Sequence, residues 1–106
     1  KDENKKINIV VFGKFVFNLS TLQLKKDSEK IYLTEVENEL LLKLIDKKNR
    51  IVLREELVNN NIDEGELRKV DVQITRLRHK IEDNPKQPHF IKTIRGKGYK
   101  LICNEI

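Results

Sequence analysis

Between residues 66 and 82, Leu67, Val70, Ile74, Leu77 and Ile81 recur at alternating gaps of three and four, the spacing that lays one buried stripe along a helix. At about 100° per residue the opposite face centres on Val72 and His79, flanked by Arg68, Lys69, Thr75 and Arg76. Gln73 falls at the edge of that face, and Arg78 beside the buried stripe. The helix is expected to stop before Asn84-Pro85, because the residue ahead of a proline is driven out of helical geometry.

Upstream the period changes. Residues 9–12 and 15–18 are rich in β-branched and aromatic side chains, and the Gly13-Lys14 step between them suits a hairpin turn. A second pair of strands is expected at 21–24 and 30–33, divided by a turn at 26–29, which completes a small antiparallel sheet. Thr34 with Glu37 three residues on is a capping box, and opens a helix whose buried face is Val36, Leu40, Leu41, Leu44 and Ile45. Lys47-Lys48-Asn49 ends it, cations and a left-handed Asn both suiting a helix C-terminus. A short helix over 54–60 follows, anchored by Leu57 and Val58. Its cap, Leu53, has no side-chain acceptor, at a cost of about 1 kcal/mol relative to Ser or Thr. The polar turn 59–65 leads to the long helix, and strands at 90–94 and 99–102, joined by Arg95-Gly96-Lys97-Gly98, close the chain. Residues 1–8 read as a lead-in linker and 9–106 as one α+β domain: four-stranded antiparallel sheet, three helices, C-terminal hairpin.

Charge sharpens this picture. Residues 66–100 hold 10 Lys/Arg against 4 Asp/Glu, or +6, while all other positions hold 12 against 13, or −1. Positive charge concentrated on one helix and the hairpin after it points to a polyanionic partner, where a solubility role would spread it evenly. The helix face also carries the right groups for reading bases: arginine pairs bidentately with guanine, glutamine with adenine, and a small apolar group such as Val72 meets a thymine methyl. The plainer reading of that face is a solvated cationic surface, for which Val72 is the one awkward residue.

At 106 residues the chain is one domain by length. No apolar run approaches the roughly 20 residues of a membrane span, and nothing resembles a secretion signal. With Cys103 as the only cysteine there is no internal disulfide, and a cytoplasmic setting is expected. Catalytic and cofactor chemistry find no footing. Gly96-x-Gly98 lacks the second half of a phosphate-binding loop and the helix that must follow one. His79, His89 and Cys103 match no metal-ligand spacing, and Cys103 reads as an inert, half-buried strand residue. Glu55-Glu56 and Glu82-Asp83 are helix neighbours that point apart, expected at caps and exposed faces. Neither an enzyme nor a cofactor or metal site is expected.

VDVQITRLRHKIE at 70–82 and FIKTIRGKGYKL at 90–101, in this order and separation, with the Leu33-Thr34-Glu35 helix entry and IVLREEL at 51–57, resemble the winged-helix effector domain of OmpR/PhoB-type response regulators. The resemblance spans nearly the whole chain. It implies a winged helix-turn-helix in a bacterial two-component transcriptional regulator, binding double-stranded DNA sequence-specifically, with the third helix in the major groove and the hairpin wing in the adjacent minor groove. Arg68, Lys69, Val72, Gln73, Thr75, Arg76, Arg78 and His79 would then meet bases or phosphates. Thr93, Arg95 and Lys97 would do so from the wing, Gly96 and Gly98 would serve its turn, and Tyr99 would pack beneath it. It further implies two copies head to tail on direct repeats, a phosphorylated receiver domain outside this chain, and a loop at 59–65 able to meet RNA polymerase.

The sequence departs from the family pattern in four places. Gln73 stands where many relatives have His, Lys69 where Thr is common, Leu53 replaces a Ser/Thr cap, and the 59–65 loop is short and lacks an aromatic ring. The rival readings are a winged-helix protein-interaction module, which would not need the +6 concentration, and an RNA-binding protein, for which no exposed aromatic platform is evident.

Overall fold

A computed structural model describes residues 8–58 and 62–104. Four short strands come first: β1 (Ile9–Phe12), β2 (Phe15–Asn18), β3 (Gln23–Lys26) and β4 (Glu29–Ile31), paired antiparallel in that order. The first hairpin falls where the sequence places it. Gly13 takes φ 62°, and a Cβ there would lie 2.3 Å from the Phe90 ring, so both conformation and space require glycine. Alternation then turns Val10, Phe12, Phe15, Phe17 and Leu24 inward. The second hairpin sits differently from the expectation of 21–24 and 30–33. Its turn is only Asp27-Ser28, with φ 50° and 72°, the left-handed pair that a tight hairpin needs. That moves β3 later and ends β4 at Ile31, opposite Leu24.

Helix α1 (Glu35–Asp46) begins at the expected capping box: Thr34 Oγ1 accepts the Glu37 N–H at 3.1 Å, and Glu37 Oε1 accepts the Thr34 N–H at 2.9 Å. Leu40, Leu41, Leu44 and Ile45 are buried, but Val36 is 41% exposed and Glu37 is buried instead. The reason is the cap itself, which folds the carboxylate back to a point where Lys80 of the long helix reaches it at 2.6 Å. Burial alone would raise the Glu37 carboxyl; the Lys80 ammonium and the Thr34 N–H outweigh it and hold it below its ordinary value. Past α1, Asn49 adopts φ 65°, and its Oδ1 accepts the Cys103 N–H at 2.9 Å.

The expected helix at 54–60 is instead a strand followed by a single 3-10 turn. β5 (Val52–Leu53) runs into a 3-10 helix (Arg54–Leu57), and Val58 is already extended; residues 59–60 lie outside the described residues. Without a capping side chain at Leu53, only the reverse bond forms, from the Leu53 N–H to Glu56 Oε2 at 3.0 Å. The long helix α2 (Glu64–Ile81) starts three residues ahead of its apolar stripe, inside the turn expected at 59–65, because Asp63 Oδ1 accepts the Glu66 N–H at 2.8 Å. Val70, Ile74, Leu77 and Ile81 are buried, and Leu67 is half-buried.

The wing strands are β6 (Ile91–Ile94) and β7 (Gly98–Leu101), and β5 adds to the free side of β7 to give the order β5-β7-β6. Gly98 is thus a strand residue and not part of the turn. A Cβ there would sit 2.0 Å from the Val52 carbonyl oxygen, so it is the approach of β5 that demands glycine. Glu82, expected at an exposed helix end, is 7% exposed. Its carboxylate accepts the N–H groups of His89, Phe90 and Ile91 at 2.7, 2.9 and 2.8 Å, and so ties the entry of the wing to the end of α2. Phe90 then packs edge-on against Phe12 and Phe15, with centroids 5.4 and 5.9 Å away, which joins wing and first sheet in one core. Cys103 lies just past β7, buried where a half-buried strand position was expected, and burial pushes its thiol up to about 11.

Candidate nucleic-acid interface

With four apolar side chains of α2 buried, the opposite face is left to solvent. Arg68, Lys69, Val72, Thr75, Arg76 and His79 are all exposed, and Gln73 is half-buried at the edge. Val72, at 49% exposure, is an apolar residue with no core to serve. The first turn screens part of its own charge: Arg68 lies 3.7 Å from Glu64, and Lys69 lies 3.1 Å from Glu66. Thr75 Oγ1 donates back to the Asp71 carbonyl at 3.0 Å. Among the described residues neither Arg76 nor His79 has a side-chain partner. The five N–H donors of Arg76 therefore stand unpaired in the middle of the face.

The wing supplies the second part. Its turn closes through the Lys97 N–H to the Ile94 carbonyl at 2.9 Å. Gly96 takes φ +74° there with open space where a Cβ would go, so the requirement is conformational. Arg95 and Lys97 project from this turn, exposed, and Thr93 is exposed on β6. On the far side of β6 a groove of about 700 Å³ is lined by Arg78, Lys86, His89 and Lys92 among others, extending the cationic surface.

Helix and wing are locked together by side chains whose importance the sequence reading missed. Asp71 is the only acid between residues 67 and 81. It receives Arg54 Nε at 3.2 Å, Arg54 Nη2 at 2.7 Å and the Tyr99 hydroxyl at 2.6 Å. Burial, and then Asp71, push the Tyr99 phenol up to about 12, so it stays a neutral donor. Arg78, two turns further along α2, donates Nε at 3.1 Å and Nη2 at 2.7 Å to the Ile91 carbonyl, and Nη2 at 2.7 Å to Thr93 Oγ1. Its guanidinium lies 5.5 Å from the Tyr99 ring centroid. The one signal of all this in the sequence is a lone acid in a cationic run.

A four-stranded sheet, helix α1, a 3-10 turn and a helix α2 with a cationic outer face, braced against a basic hairpin, define a winged helix-turn-helix domain. Residues 28–101 match the family "Transcriptional regulatory protein, C terminal", and the chain belongs to it; its fold is that of OmpR/PhoB-type response-regulator effector domains. The chain is 34% identical over 104 residues to the transcriptional regulatory protein AfsQ1 of Streptomyces coelicolor, covering 95% of this chain and 46% of AfsQ1. The response regulator DrrB, an OmpR/PhoB homolog of Thermotoga maritima, superposes with a TM-score of 0.81 at 32% identity, covering 94% of this chain and 46% of DrrB. The Klebsiella pneumoniae RstA DNA-binding domain, solved in complex with the RstA box, gives a TM-score of 0.78 at 31% identity, covering 89% of this chain and 96% of that one. The chain thus spans about half the length of AfsQ1 and DrrB.

Proposed function

We propose that this domain reads a specific duplex DNA sequence by laying the exposed face of α2 in the major groove and the wing in the adjacent minor groove, as the effector half of a two-component regulator. The observation that carries this reading is the unpaired Arg76, centred on an exposed helix face and braced against a wing that presents Arg95 and Lys97. Val72, Gln73 and Arg76 are assigned to bases; Arg68, Lys69, Thr75, His79, Thr93, Arg95 and Lys97 to phosphates and sugars. Arg78 is assigned a phosphate through the Nη1 edge that its bonds to the wing leave open. Arg76→Ala should cost about 1–3 kcal/mol on the preferred site and relax selectivity there, whereas Lys97→Ala should weaken preferred and random duplexes alike. Equal losses on both duplexes for both variants, in a gel-shift titration, would remove base reading from α2.

One helix meeting one groove segment is a small contact for genomic selectivity, which favours two copies head to tail on direct repeats, brought together through a phosphorylated receiver domain in the cytoplasm. Half-sites on one face of the duplex lie about 10–10.5 bp apart. Inserting about 5 bp should therefore abolish cooperative binding while leaving single-site affinity intact; unchanged cooperativity would refute the tandem arrangement. Any polymerase contact is assigned to the segment 59–65, of which Ile62 is exposed and Glu64-Gly65 open α2; residues 59–61 lie outside the described residues.

A further inference from the structure

An acid in the middle of a DNA-facing helix is electrostatically misplaced, since it repels phosphate, and Asp71 needs a reason to be there. The geometry supplies one. Its carboxylate gathers three elements at one point: the 3-10 helix through Arg54 Nε and Nη2 at 3.2 and 2.7 Å, α2 through its own backbone, and the central wing strand through the Tyr99 hydroxyl at 2.6 Å. Two turns on, Arg78 holds the outer wing strand at Ile91 and Thr93 and lies over the same Tyr99 ring. Positions 71 and 78 lie on one side of the helix, so both grips act on the hairpin from the same edge. Between the 3-10 helix and the wing turn only one backbone bond is present among the described residues, Arg54 N–H to the Lys97 carbonyl at 3.2 Å.

We propose that Asp71 is a positioning residue for DNA: it touches no base, and it sets the wing against α2 before DNA arrives, so that base reading by the helix and phosphate contact by Lys97 occur on one duplex at once. This inference rests on the DNA-binding reading above. It predicts a sign opposite to that of simple electrostatics. Neutralising an acid on a DNA-facing surface should tighten binding to every duplex; releasing a prearranged wing should weaken binding to the preferred one.

The test is a double-mutant cycle of Asp71→Asn with Lys97→Ala, read as affinity for a preferred half-site duplex and for a random one, at a temperature well below every variant's melting point. Asp71→Asn should weaken the preferred duplex, and in that background the loss from Lys97→Ala should shrink by about threefold or more. Tyr99→Phe, which removes only the hydroxyl, should act in the same direction and covers the case in which Asp71→Asn misfolds. Hydrogen exchange of the DNA-free domain gives a separate readout: the Arg54 amide, which donates to the Lys97 carbonyl, should exchange faster in Asp71→Asn. Tighter or unchanged binding with an undiminished Lys97→Ala loss overturns the proposal, as does unchanged exchange at the Arg54 amide. If the parent domain shows no preference among duplexes, the DNA-binding reading fails, and the exchange measurement alone decides whether Asp71 sets the wing.

Discussion

Glu82→Ala is expected to destabilise the domain by about 3–5 kcal/mol, because one buried and two part-buried backbone donors lose their acceptor together, and each unmet buried donor costs roughly 1–3 kcal/mol. The carboxylate accepts from His89, Phe90 and Ile91 at 2.7 to 2.9 Å. Its position makes the role plain. A negative side chain at a helix C-terminus opposes the helix dipole, so the helix gains nothing from it; the gain lies in the chain that returns beneath it. A small domain has only about 5–15 kcal/mol in hand, so the variant should melt on the order of 15–30 °C lower. Glu82→Gln keeps the shape and one acceptor, turns an amide N–H₂ toward the remaining donors, and should fall between the two. Thermal melts followed by circular dichroism decide the matter. A Glu82→Ala melting point within a few degrees of the parent would mean that water satisfies those three amides just as well.

Affinity for duplex DNA should fall by roughly 250- to 1000-fold between 50 and 200 mM salt, the effect of about 4–6 phosphates neutralised per domain and a log–log slope of about −4 to −5. The expectation rests on the concentration of 10 Lys/Arg against 4 Asp/Glu in residues 66–100. The structure shows why only part of that charge counts. Lys80 is spent on Glu37 and the Tyr32 carbonyl, and Lys69 is paired with Glu66. Arg76, Lys92, Arg95 and Lys97 have no such partner among the described residues. A fluorescence-anisotropy series on a single half-site gives the slope directly. A slope near zero would discard the electrostatic reading and favour a protein partner for α2.

The elements that the sequence determined by itself are those whose cause is local. The buried stripe Val70, Ile74, Leu77 and Ile81 follows from helical periodicity. The start of α1 follows from a capping box four residues long, and the β1–β2 hairpin from one glycine between two runs of β-branched and aromatic residues. The exposed face of α2 was legible for the same reason, since a helix with one face buried has no choice about the other. Tertiary structure decided whatever depends on a partner distant in sequence. β5 is two residues long and exists only because β7 lies beside it, and Gly98 is glycine because the Val52 carbonyl passes there. Val36 yielded its buried place to Glu37 because Lys80, 43 residues away, comes to meet that carboxylate. Asp71 and Glu82 read in the sequence as charged helix residues and Arg78 as a phosphate contact, and all three became the joints between helix and wing. The worth of a buried polar group lies in the geometry of its bonds, and periodicity, which reports only which face is apolar, carries no record of that.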